Sequence, residues 1–337
     1  MQRHLSCARL FLVALAWFAL AVAQPPILAQ PVLAQTVNAP FEFVALGDMP
    51  YKTPQDFPRF DKLIETINAA KPAFSIHIGD IKSGSEPCTD EYFRSIHARF
   101  QKFDQPLVYS PGDNEWTDCH RERAGRYNPR ERLDKLREIF FAAPGQSLGK
   151  SPMPVESQGK LMPAHAKYIE NQRFWKNGVL FIVPHIVGSN NGFETTELEA
   201  ASEYFERNKA NIIWLDDSFR LAREQGAKAI VIAFQANLHD IKQKFPAVPV
   251  SSGFVDTLRA IDRGAKAFGK PMLVIHGDDH EFEVDGFRGT DYKRIPNVWR
   301  LQVMGETYIH AVTVTVDPAS PGVFGFRPMI VPENGAY

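Results

Sequence analysis

The 337-residue chain carries 38 basic and 39 acidic side chains, with 44% hydrophobic residues. That composition excludes a disordered, charge-dominated chain. A formal charge of −1 leaves no broad basic footprint for nucleic acid or an anionic membrane surface.

The first residues read as a leader. Arg3 and Arg9 precede the apolar run Leu10–Ala23, which closes on the small-residue site Ala21-Val22-Ala23. A basic start, a short apolar stretch and small residues before the cut predict a secretory signal peptide over residues 1–23. An uncleaved anchor is the alternative, although a spanning helix needs about 20 apolar residues. Residues 24–40 are rich in Pro, Gln and Ala and uncharged, which predicts a disordered lead-in. No strong linker interrupts residues 41–330, so one domain is expected there. Cys7 leaves with the leader. Cys88 and Cys119 remain, either bridged in an oxidising compartment or present as two buried thiols.

Beyond the leader, apolar runs alternate with amphipathic ones. Phe41–Leu46 predicts a buried strand and Phe57–Ala70 a helix, with Phe60, Leu63, Ile64 and Ile67 at helical spacing. Strands are expected at Ala73–Ile78 and Leu107–Tyr109, with a helix at Thr89–Phe103 capped by Thr89 or Asp90. A helix with Pro129 in its first turn follows, then an irregular excursion over residues 143–164. Lys176-Asn177-Gly178 between two apolar runs is a hairpin signal. Helices at Glu194–Arg223 and Val255–Phe268 alternate with strands at Ile230–Phe234 and Met272–Ile275, and Trp299–Phe326 reads as a β meander. This order predicts an α/β sandwich whose ligand site lies beyond the strand ends.

Those ends carry the chemistry. Gly47-Asp48, Gly79-Asp80, Gly112-Asp113-Asn114-Glu115 and Gly277-Asp278-Asp279-His280 each place acid after a glycine. Several carboxylates on one rim require counter-charge, which a divalent cation supplies without a long side chain.

The ordered set resembles the calcineurin-like metallophosphoesterase superfamily, whose serial motifs are D-x-H, G-D, G-N-H-D/E, a later strand-end His, and G-H-x-H. Here the matching positions read Asp48-Met49-Pro50, Gly79-Asp80, Gly112-Asp113-Asn114-Glu115, Gln235 and Gly277-Asp278-Asp279-His280. The resemblance covers residues 41–280 and implies a four-layer αββα sandwich of the metallophosphoesterase type, with the tail supplying the second sheet. It implies one metal ion held by Asp48, Asp80 and His280, and a second held by Asp80, Asp113, Gln235 and Asp278. The second set is all oxygen, which favours Mg²⁺, Mn²⁺ or Ca²⁺ there over zinc, with iron or zinc open at the first.

The departures from the pattern shape the expected activity. Pro50 stands where the family has a metal-binding His, and Asn114 where it has the His that assists the leaving group. Four aspartates would neutralise two divalent cations, leaving less pull on a phosphate dianion and on bound water. His120 is a candidate replacement acid, or a loop residue bonding its neighbours; Lys82, Arg121 and Asn190 are candidate substrate-binding residues. His276, Asp278 and His280 would share one side of an extended chain. A Cys88–Cys119 bridge would join the second and third motif loops.

The leading expectation is an exported, metal-dependent hydrolase of a small phosphoester or other anionic substrate, with no membrane span after cleavage. The alternative is a non-catalytic extracytoplasmic binding protein on the same scaffold. A carboxylate-pair glycosidase using Glu115 with Glu281 or Glu283 is a third reading, without a supporting spacing.

Overall fold

Strand β1 (Phe41–Leu46) shows the alternation that organises the molecule. Val44 and Leu46 pack on the helical side, while Phe43 and Ala45 face a second sheet. The protein is described here by a computed structural model covering residues 39–239 and 251–335. The expected signal peptide and residues 24–38 of the lead-in lie outside the described residues. Among the described residues, no helix is long and apolar enough to cross a membrane.

The first sheet runs β12-β11-β1-β2-β3. Strands β1, β2 (Ser75–His77) and β3 (Leu107–Tyr109) are parallel, so their C-terminal ends share one edge. On the outer face lie α1 (Phe57–Ala70), α2 (Asp90–Phe100) and α3 (Pro129–Phe140). Thr89 caps α2 by accepting from the Tyr92 N–H, and Asn128 caps α3 by accepting from Arg130 and Glu131. The turn before α2 therefore ends where the sequence places a capping residue.

The second sheet runs β4-β5-β6-β7-β8-β10-β9. The excursion at residues 143–164 contributes the edge strand β4 (Glu156–Ser157) and the short helix α4 (Gln158–Leu161). The hairpin is β5 (Gln172–Lys176) and β6 (Val179–Val183), turning at Asn177-Gly178. Strands β6, β7 (Ala229–Ala233), β8 (Met272–His276) and β10 (Arg294–Gln302) are parallel, and β9 (Glu283–Arg288) closes the edge. A one-turn element, α5 (Gly188–Asn191), precedes the long helix α6 (Leu198–Glu224), which packs with α7 (Val255–Phe268) on the outer face.

Phe43, Phe74, Phe174 and Phe181 fill the space between the sheets, so the layers are helix, sheet, sheet, helix. This is the expected αββα sandwich. One expectation about it fails. The tail does not build the second sheet: β9 and β10 join it, but β11 (Ala311–Val316) and β12 (Phe324–Met329) return to the first sheet, with β11 antiparallel to β1. β10 extends the second sheet by pairing parallel to β8, while β11 finds the free edge of β1.

Candidate metal centre

Parallel strands in both sheets deliver their following loops to one place. The loop after β8 meets the loop after β1, where the Asp278 N–H donates to the Asp48 carboxylate at 3.2 and 3.3 Å. The loop after β7 meets the loop after β2, with Gln235 Nε2 3.4 Å from Asp80 Oδ2. Two glycines make this approach possible. A Cβ on Gly112 would lie 2.1 Å from Asp80 Oδ1, and one on Gly277 would lie 2.0 Å from Asp48 Oδ2.

The backbone is strained where the acids sit. Asp48, Asp80, Asp278 and His280 all hold left-handed dihedrals, with φ of 53°, 53°, 79° and 68°. Such conformations cost on the order of 1–3 kcal/mol each and cluster at functional sites. They also break the expected parity of His276, Asp278 and His280, because the chain is not extended there. His276 is buried against Arg300, its Nδ1 at 2.9 Å from the Gly277 carbonyl, and burial lowers its pKa to about 3.

Asp80 stands at the centre and is served by protein donors. Its Oδ2 accepts from Asn114 Nδ2 at 2.6 Å and Tyr51 Oη at 2.9 Å, and its Oδ1 from the Asn114 N–H at 3.1 Å. Tyr51 also lies 3.3 Å from His280 Nε2, with the two rings edge to face. His280 Nδ1 is 3.3 Å from Glu306 Oε2. Sequence reasoning missed Tyr51, although Pro50 just before it marked the vacated family position. Burial, then the facing acids, push Asp48 and Asp80 well above the usual carboxylate range and Tyr51 well above the usual phenol range.

Asp113 and Asp278 face each other across Gly188: their Oδ1 atoms lie 2.8 and 3.0 Å from an ideal Cβ placed there. Asp113 Oδ2 accepts from Ser189 Oγ at 2.7 Å, and Asp278 Oδ2 from the Asn237 N–H at 3.1 Å. The amide of Gln235 is oriented by the Gly188 N–H, which donates to Oε1 at 2.5 Å. Its NH₂ therefore faces Asp80, and an NH₂ does not ligate a cation. Placed this way, Gln235 anchors Gly188 through the same oxygen that the expected second metal set would use.

The expected substrate residues divide. Lys82 is fully buried and donates to the Ser83 and Asn114 carbonyls at 2.8 and 2.6 Å, so it is not open to a substrate; burial lowers its pKa to about 8. Arg121 is half exposed at the rim, paired with Asp118 Oδ2 at 2.7 Å and 3.4 Å from Ser189 Oγ. Asn190 turns away from the acids, donating to the Phe193 and Ser251 carbonyls and accepting from Gly253. His120 is exposed with Nδ1 2.7 Å from the Thr117 carbonyl, which is the loop role and not that of an acid beside Asp80. Asp118, the ion-pair partner of Arg121, is buried beside Asp113, and burial followed by that neighbour raises its pKa to about 8.

Glu115 is a joint between loops. Its Oε1 accepts from the Gly112 N–H at 2.6 Å, Tyr109 Oη at 2.8 Å and the Asp80 N–H at 3.2 Å. Glu281 and Glu283 are exposed, so the carboxylate pair of the glycosidase reading is not formed. Cys88 and Cys119 are bridged, with Cα atoms 5.9 Å apart, and tie the loop after β2 to the loop after β3.

Whether this set suits a divalent cation can be judged from its own atoms. Asp113 Oδ1 and Glu115 Oε2 are buried without a hydrogen-bond partner. Asp48 and Asp80 are held above their usual range by burial and mutual repulsion. Oxygen donors under that strain fit a hard cation. As the side chains are placed, no three His, Cys, Asp or Glu among the described residues are grouped to hold one ion. The chemistry of the donors fits; Tyr51 and Asn114 stand between them.

No protein-family model and no curated protein matches the chain. Among solved structures, a dimetal phosphatase from Danio rerio matches at a TM-score of 0.53 and 11% identity, over 86% of this chain and 98% of that one. The chain therefore shares the fold of that dimetal phosphatase. Weaker likenesses include GAP50, the anchor in the inner membrane complex of Plasmodium (TM-score 0.48, 13% identity, 87% and 89% covered), and a purple acid phosphatase from yellow lupin (0.46, 9%, 89% and 56%).

Proposed function

We propose that the chain is an exported, metal-dependent hydrolase of small phosphoesters, working with one or two divalent cations held by Asp48, Asp80, Asp113, Asp278 and His280. One observation carries this reading. Aspartates from the strand ends of both sheets face one another where burial keeps Asp48 and Asp80 far from their ordinary titration and leaves an Asp113 oxygen unpartnered. Export is supported by the arginine-flanked apolar leader and the bridged cysteines.

A bound cation would polarise a phosphoryl oxygen and lower the pKa of water. The chain's own groups would do the rest. Arg121 at the rim is open enough to hold an anionic oxygen. Tyr51 and Asn114 present an O–H and an N–H₂ beside Asp80, able to orient a substrate oxygen. Neither is a good proton source near neutral pH, Asn114 being an amide and Tyr51 a phenol held above its usual range. A substrate with a good leaving group is therefore expected.

Metal analysis of the mature, oxidised protein combined with turnover of aryl phosphate mono- and diesters tests this. Metal-dependent turnover that disappears in Asp80→Ala is the expected result, with unactivated alkyl monoesters nearly inert. Absence of metal uptake from Mn²⁺, Mg²⁺, Ca²⁺ or Zn²⁺ would overturn it. A second reading, a non-catalytic binding protein, is favoured by the Tyr51 and Asn114 donors already seated on Asp80. Stoichiometric metal without turnover on any ester would select it.

A further inference from the structure

The loop after β6 has a shape that its residues do not hold by themselves. Ser189, Asn190, Asn191 and Gly192 have φ of 48°, 56°, 57° and 66°, a full turn wound left-handed. L-residues pay about 1–2 kcal/mol for that hand, a cost that falls mainly on Ser189 because Asn and Gly tolerate it better, and four such residues in a row still need fixing from outside. Something outside the turn must maintain it.

Arg207 of α6 supplies the clamp. It is fully buried, and its Nη1 donates to Asn191 Oδ1 at 2.6 Å while Nη2 donates to the Asn191 carbonyl at 2.8 Å. Its charge is met by Glu203, with Nε 2.9 Å from Oε1, and its guanidinium lies 5.0 Å from the Trp116 ring centre. From the other side Asn191 Nδ2 donates to the Gly253 carbonyl at 3.2 Å.

The clamped turn has one product at the centre. It sets Ser189 Oγ 2.7 Å from Asp113 Oδ2 and 3.0 Å from Asp118 Oδ1, leaving Asp113 Oδ1 as the unpartnered oxygen. A hydroxyl carries one proton; given to Asp113 Oδ2, the nearer acceptor, it leaves Asp113 Oδ1 for a different partner and Asp118 Oδ1 without that proton.

We propose that Arg207 is a positioning residue of the centre: by clamping the left-handed turn it seats Ser189 on Asp113 and selects Oδ1 as the oxygen offered to a cation. Arg207 itself touches none of the candidate ligands. The inference rests on the metal reading proposed above for its consequence, but not for its geometry.

The test uses the mature, oxidised protein, free of metal, in two measurements: amide hydrogen exchange over residues 187–193, and titration with Mn²⁺ alone. Arg207→Lys should lose protection at Gly192 and Phe193, whose N–H groups donate to the Ser189 and Asn190 carbonyls, and bind Mn²⁺ about 10–100-fold more weakly, as removal of outer hydrogen-bond partners does. Ser189→Ala should keep the protection and show the same loss of affinity. Arg220→Met, which removes an exposed ion pair on the same helix, should change neither. Asn191→Ala severs the clamp from the turn's side and serves if Arg207→Lys does not fold. Unchanged exchange in the clamp variants, or lost protection with unchanged Mn²⁺ affinity, would overturn the inference. If the wild type takes up no Mn²⁺, the proposed function fails, and exchange alone then decides the clamp: lost protection at Gly192 and Phe193 with α6 intact supports it, and retained protection overturns it.

Discussion

Tyr51 is the residue on which the centre's local order turns. Its hydroxyl donates to Asp80, accepts from Asn114 Nδ2 at 3.0 Å and lies against His280, so three strand-end loops meet at one oxygen. Tyr51→Phe should destabilise the metal-free protein by about 1 kcal/mol, the usual net worth of a buried hydrogen bond. It should lower kcat while leaving metal content unchanged; urea unfolding and metal analysis together check both. The aspartates were legible in the sequence because each follows a glycine at a strand end. Tyr51 was not, because no spacing rule tells which side chain of Asp48-Met49-Pro50-Tyr51 turns inward. Ser189 was passed over for Asn190 for a related reason. In a left-handed turn the side chains leave in directions that neither strand nor helix periodicity describes.

Among the elements, the helices and parallel strands were read in the right order, since burial sets their apolar periodicity, but not always to their full extent: β2 is Ser75–His77 within the expected Ala73–Ile78, and α6 begins at Leu198 where Glu194 was expected. The phases α1 and α7 coincide with their expected ranges. What the sequence could not give was strand partnership: β11 and β12 alternate in a way that suits either sheet. Two elements make sharp demands. Gly264 of α7 lies against Phe219 of α6, where a Cβ would come within 2.3 Å of the ring. Gly264→Ala should cost about 1–3 kcal/mol through overpacking, exceeding the roughly 0.5–1 kcal/mol that alanine returns within a helix, as a thermal melt will register. The bridge between the loops after β2 and β3 closes a separation of 31 residues. Replacing both cysteines by serine should cost about 3–4 kcal/mol on the chain-entropy account. A denaturant titration measures that loss, and Mn²⁺ affinity should fall with it, because Asp80 and Asp113 lie on the two tied loops.

For the molecule as a whole, the acids of the centre predict an unusual pH response. Asp48, Asp80 and Asp118 have folded-state pKa values raised above their unfolded ones, Asp118 to about 8. The folded chain therefore holds more protons than the unfolded chain near neutrality. Stability from these groups is present at low pH and lost as pH rises through the folded values. Between about pH 7 and 8 the buried histidines, whose pKa values are lowered, are neutral when folded and mostly neutral when unfolded, so they oppose the trend only weakly. Lys82, lowered to about 8, opposes the trend only above that window. The melting temperature in chelator should thus fall from pH 7 to pH 8, and Mn²⁺ should flatten the slope by replacing the protons; a rise in chelator would refute the assignment. The pairing of β1 with β11 adds a constraint of a different kind. Asp48 follows a strand that lies between β2 and β11, and the second of these partners is not synthesised until residues 311–316, after every candidate ligand has been made. On the metal reading proposed above, a copy truncated before residue 311 loses this pairing and should take up no cation, which titration with Mn²⁺ checks.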